Sequence, residues 1–210
     1  MTLGRRAFVG GLAAAGLAGC AAPRSRSVPN EAAFFAPGFE GFAAALAYAR
    51  TRAGEGCRVE LHVREDRLLA GWADDDRFRI VRTGGPKDGV WHLDTRGICE
   101  EFMLRMEVMG PVASTPHPRP GQAWEPVLRV GDARRLMARM LAESGVALVP
   151  GCARAQPFAP ADRTVPGADF TAGQRVGTAA ALANRRGIAV EDLDPSILSV
   201  RLARDFALPG

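Results

Sequence analysis

The sequence predicts an α/β chain, a small, mostly parallel Rossmann-like sheet flanked by helices, and two observations carry that reading. The first is the run 32–63: apolar Ala32–Ala36, a glycine turn Pro37-Gly38-Phe39-Glu40-Gly41, an alanine-rich helix Phe42–Arg52, and a second apolar run Cys57–Val63. Strand, glycine turn, helix and strand within about 30 residues is the frame of a dinucleotide-binding βαβ unit. The second is the later repetition of helix then strand, Asp132–Ser144 followed by Val146–Val149, with further helices to the C-terminus. Alternating elements of this kind bury a parallel sheet under crossover helices.

Ahead of this frame the chain reads as an export signal. Arg5-Arg6 precede a weakly apolar Gly/Ala/Leu segment that ends Leu17-Ala18-Gly19-Cys20. Paired arginines, a short apolar core and a small-residue exit, in that order, resemble a twin-arginine signal, and Leu-Ala-Gly-Cys resembles a bacterial lipobox. The apolar core is too short to span a bilayer stably. Residues 1–19 are therefore expected to be a signal, Cys20 the lipidated residue, 20–31 a polar tether, and 32–210 one domain. The expected location is the periplasmic side of the bacterial cell envelope, with the protein held by a lipid anchor at Cys20.

Within the domain, Phe42, Leu46 and Ala49 repeat at helical spacing, and Gly54 and Gly56 end the first helix. Phe78–Arg82 and Val90–Leu93 read as a hairpin around Thr83–Gly89, because Gly-Gly-Pro is a turn signal. Asp94-Thr95 would cap a helix from about Arg96 to Met109, and proline-rich Gly110–Trp124 reads as loop. Asp132–Ser144 is the clearest amphipathic helix, with Leu136, Met137, Met140 and Leu141 on one side. Pro150–Phe170 reads as irregular. Thr171–Arg186 is a helix stopped by Gly187, and Asp194-Pro195 opens a last helix to about Phe206.

Composition excludes several classes. Net charge is +4, but the arginines sit among aspartates and glutamates, so no face suits nucleic acid. One tyrosine and three scattered tryptophans offer no stacking platform for bases. Beyond Cys20, Cys57, Cys99 and Cys152 match no zinc or haem spacing; Cys57 and Cys99 read as core residues, and a single disulfide stays open in an oxidising compartment. His62, His92 and His117 have no Ser, Cys or Asp partner at a recognisable spacing, so no catalytic residue is named. Arg96, Arg134 and Arg135 read as solvated helix faces.

Four stretches together resemble a shortened member of the FAD-dependent oxidoreductases with a glutathione-reductase-like dinucleotide fold. They are the βαβ unit, Gly97–Met106, Trp124–Gly151, and Ala172–Ile188 running into Leu193-Asp194-Pro195, the last being the most specific. The resemblance implies FAD, with hydride or electron transfer to an unknown small substrate. It implies that Gly38 and Gly41 meet the pyrophosphate and that Glu65 stands for the ribose-binding acid. It also implies that the C-terminal helix brings Gly173, Gln174, Gly177 and Thr178 to the flavin.

The chain departs from that pattern at named places. The first glycine of G-x-G-x-x-G is Ala36, Glu40 puts a carboxylate where a pyrophosphate would sit, and Val63 replaces the strand-ending acid. The usual Arg-Leu-Gly-Gly is Arg67-Leu68-Leu69-Ala70, and only Gly151–Phe170 stands where the family has a substrate or cap domain. Gly38 and Gly41 are thus phosphate contacts or a turn with helix–strand packing, and Gly173 and Gly177 face a flavin or allow close packing. Two functions follow: an exported flavoprotein, or a non-catalytic envelope lipoprotein that keeps the scaffold for partner binding, with Phe34, Phe35, Phe39 and Phe42 large enough to fill the cofactor space. A separate protein chain that completes the missing part is a third arrangement.

Overall fold

The computed structural model describes residues 31–35, 38–65, 67–81, 84–87, 90–93, 96–109, 126–153, 155, 160 and 162–206. The expected signal, Cys20, most of the tether, Ala36-Pro37, the Asp94-Thr95 cap, the 110–124 loop and His117 lie outside these residues.

The βαβ unit is present. β1 (Glu31–Phe34) leads into α1 (Gly38–Thr51) and then β2 (Arg58–His62), and β1 and β2 pair in parallel with Ala32 opposite Val59 and Phe34 opposite Leu61. α1 begins four residues before the expected Phe42. Glycine propensity argues against Gly38–Gly41 as helix, but Phe39 and Gly41 are buried and packing overrides propensity.

α3 (Val130–Glu143) precedes β7 (Val146–Val149), which pairs in parallel on the other side of β2, giving the order β1-β2-β7. Right-handed crossovers advancing in one direction put α1 and α3 over the same sheet face. The strands agree: Val59 and Leu61 are buried, while Arg58, Glu60 and His62 point to the opposite face. On that opposite face Glu60 is ion-paired to Arg58 and lies 2.9 Å from His62 Nε2, and the Phe35 ring stacks on His62 at 4.5 Å.

A second, unexpected sheet closes the core. β3 (Arg77–Val81) lies between β6 (Val127–Arg129), antiparallel, and β8 (Thr164–Pro166), parallel. β3 therefore does not form the expected hairpin with Val90–Leu93. That strand, β5, pairs instead with β4 (Gly84–Lys87), residues expected to be turn. The reason lies in partner choice: Phe78 and Ile80 face inward, and Leu128 and Val165 share that inward face from distant parts of the chain. β8 also falls in the stretch 150–170 expected to be irregular, since three residues are too short to carry a strand signature.

α4 (Gly167–Arg186) runs parallel to α1 and lies on it, beginning before the expected Thr171 and ending at Gly187 with φ 64°. α2 (Ile98–Met109) packs against α3 and α4. α5 (Pro195–Phe206) opens as expected on Asp194, whose side chain accepts the Ser196 N–H at 2.8 Å; that bond holds the Asp194 carboxyl below its usual range. Among the described residues, Cys57, Cys99 and Cys152 form no disulfide. Cys57 precedes β2 while Cys152 N–H reaches the Val63 carbonyl beyond its far end. Those two are thus separated by roughly 20 Å of strand and cannot bridge.

Candidate functional site

In an open α/β sheet a ligand sits outside the carboxyl ends of the strands, at helix N-termini. Here that edge carries the start of α1, the start of α3, the segment after β2, and Gly151-Cys152, whose N–H groups bond to Glu65 and Val63 carbonyls. The start of α4 joins them, because α4 runs alongside α1 in the same direction.

Gly38 occupies the turn the dinucleotide frame requires, with φ 58°, a conformation that favours glycine. Immediately after it, Phe39 is fully buried. Its ring lies 5.4 Å from Phe78, 5.8 Å from Phe102 and 4.8 Å from Phe170, the last in the first turn of α4. Trp72 stacks on Phe78 at 5.3 Å, and Leu68 and Leu69 are buried on the same segment. The aromatic packing thus begins one residue into α1, on the edge where a dinucleotide would enter. Of the four phenylalanines expected to fill cofactor space, Phe39 and Phe42 belong to this cluster, Phe34 meets Tyr48 at 5.6 Å, and Phe35 lies on the opposite sheet face.

Two carboxylates stand at the helix N-termini of this edge. Glu40 is in the first turn of α1 and Asp169 in the first turn of α4. Burial, and then the neighbouring Glu40 charge, push the Asp169 carboxyl above its usual range. A helix N-terminus favours an anion, but two carboxylates already take that role. The ring packing and the two carboxylates do not fit a dianionic pyrophosphate.

The remaining expected cofactor residues are placed as follows. A Cβ on Gly173 would stand 2.1 Å from the Glu40 carbonyl oxygen, and one on Gly177 2.0 Å from that of Ala44. Both glycines are spent on backbone-to-backbone contact between α4 and α1, and Gly41 is buried in the same helix. Gln174 is buried, and its Oε1 accepts the Ile98 N–H at 3.0 Å, so it caps the first residue of α2. Thr178 is fully buried, with no hydrogen-bond partner for its Oγ1. Glu65 is exposed on the turn after β2. The α4 residues therefore meet α1 and α2, and Glu65 stands apart from them.

Arg134 overturns its expected role. It is 9 % exposed, not a solvated face: its Nε donates to the Leu68 carbonyl at 2.6 Å, its Nη2 to the carbonyls of Leu69 at 2.7 Å and Trp72, and its Nη1 pairs with Asp74. Helical spacing carried the signal, since Val130, Arg134, Met137 and Leu141 fall on one buried face. Arg96 and Arg135 are exposed as expected.

No family model, no curated protein and no solved structure matches the chain. Among the described residues, no group of three His, Cys, Asp or Glu side chains is placed to hold a metal, and no helix is long and apolar enough to cross a membrane.

Proposed function

We propose that this protein is a non-catalytic, exported lipoprotein of the cell envelope that keeps a flavoprotein-like α/β scaffold for binding a partner and does not hold FAD. The observation that carries the reading is the packing of Phe39 with Phe78, Phe102 and Phe170 at the carboxyl edge of the sheet, beside the Glu40 and Asp169 carboxylates. Gly173 and Gly177, the residues that would approach a flavin, support it by meeting α1 backbone. Exposed Leu104 and Val108, one turn apart on α2, supply apolar surface for a partner.

The test is a visible absorption spectrum of the full chain purified, signal intact, from an FAD-replete cytoplasm. A colourless folded protein that takes up no added FAD is expected; a flavin band near one equivalent per chain overturns the reading. The second reading, an FAD-dependent oxidoreductase, is favoured by one observation, the left-handed Gly38 turn between a parallel strand and its helix. For the anchor, supported by Arg5-Arg6 and the Leu17–Cys20 stretch, Cys20→Ser is expected to move the protein from the membrane to the soluble fraction.

A further inference from the structure

We propose that residues 68–76 form a strap over the aromatic cluster that opens as a unit, with Arg134 as its latch. The strap belongs to none of the three sheets. Asp76 pairs with Arg163 at 2.8 Å, and a larger group of ties gathers on the start of α3: the Arg134 guanidinium takes the carbonyls of Leu68, Leu69 and Trp72 and the Asp74 side chain. In the other direction, Val130 N–H donates to the Asp76 carbonyl at 2.9 Å and Gly131 N–H to that of Asp74 at 3.0 Å. Internally the strap is closed by Trp72 N–H on the Leu69 carbonyl at 3.1 Å and Ala73 N–H on Asp76 Oδ2 at 2.9 Å.

Two terms oppose closure. Leu69 sits at φ 52°, a left-handed conformation that is costly for a branched side chain, and it is held there with its side chain buried. The guanidinium is withdrawn from water, a cost met only while its acceptors stay in place. Burial of Leu68, Leu69 and Trp72, with the Trp72 ring on Phe78, works the other way. Ties gathered on the start of α3, with Arg134 at their centre, release together, so the strap opens as one piece ahead of the sheet. The opening uncovers the Phe78 ring at the edge where a dinucleotide would enter.

The inference rests on the reading that the chain's own rings fill that edge, and native-state hydrogen exchange on the folded chain tests it separately. The amides of Trp72, Ala73, Asp76, Val130 and Gly131 are expected to exchange through one common opening, before those of Val59 and Leu61 in the central strand. Arg134→Lys keeps the charge but loses the fork, and is expected to speed those five by about ten- to a hundredfold with Val59 and Leu61 unchanged. Should that variant not fold, Asp74→Asn, whose side chain is 66 % exposed, is expected to speed the same five by about two- to fivefold. Exchange of the five only together with Val59 and Leu61, or equal acceleration of all seven, overturns the strap. A flavin band with strap-first exchange overturns the filled-edge reading alone, whereas a colourless protein without strap-first exchange overturns the strap alone.

Discussion

The two ends of α1 meet α4 by opposite chemistry. At the N-terminal end the contact is made by rings and backbone: Phe39 meets Phe170, Gly173 and Gly177 let the backbones touch, and Glu40 and Asp169 repel. At the C-terminal end the contact is a polar knot. Asn184 Nδ2 donates to the Tyr48 hydroxyl, Arg185 donates to the Thr51 carbonyl at 2.6 Å, and Glu55 pairs with both Arg52 and Arg185. That contrast bears on where a ligand could have sat. A cofactor needs open space and available donors, and the N-terminal end instead carries the Phe39–Phe170 rings and the Glu40 and Asp169 carboxylates.

The largest way to break the N-terminal contact is a methyl group. Gly173→Ala and Gly177→Ala each drive a Cβ into a carbonyl oxygen that only a backbone shift can move away. Each is expected to cost about 3 kcal/mol or more in urea unfolding, and the double variant to fail to fold. Phe39→Ala removes a fully buried ring that touches Phe78, Phe102 and Phe170, and is expected to cost about 3–5 kcal/mol by the same measurement. If Phe39→Ala instead yields a fully stable protein that takes up FAD, the ring is a plug that the fold does not require.

The C-terminal end can be read by titration, because Tyr48 is the only tyrosine in the chain. Burial, and then the neighbouring Cys57 thiol, push its hydroxyl from 10.0 up to about 12. Because the folded value is raised, the stability this group contributes is fully present below pH 10 and is lost as the pH rises towards 12. Ultraviolet titration of tyrosinate is expected to show a midpoint near the raised value in the folded protein and near the ordinary one in denaturant.

The smallest effect sharpens the contrast. Asp169 is also raised, by burial and by Glu40, so its contribution to stability is present below pH 3.8 and lost as the pH rises through the folded value. Asp169→Asn is therefore expected to raise the melting temperature slightly at pH 7 and to leave it unchanged in acid. A fall at pH 7 would mean that the dipole of α4 outweighs the repulsion.

Much of the secondary structure was legible because its signals are local. The apolar runs Cys57–Val63 and Val146–Val149, Gly187 as a helix stop and Asp194-Pro195 as a helix start all depend on neighbouring residues. The second sheet was not legible, since β3 takes partners that lie far along the chain, and β6 and β8 are three residues each. Site residues divide the same way. Gly38 has the left-handed turn its place after a strand implied, and Leu69, standing where the resemblance places a glycine, also adopts a left-handed conformation. Gln174 was singled out for a flavin but caps α2, a partner 76 residues away that no local pattern reveals.

By itself the sequence determined the periodicities, the helix stops and the parallel βαβ frame, because these follow from residues within a few turns of one another. Tertiary structure alone decided that the glycines of α4 would be consumed by α1 backbone, that Arg134 would turn inward to hold a strap, and that rings from four separate elements would meet at the edge of the sheet. Each of these is a choice among distant partners, made by packing and charge burial rather than by local preference.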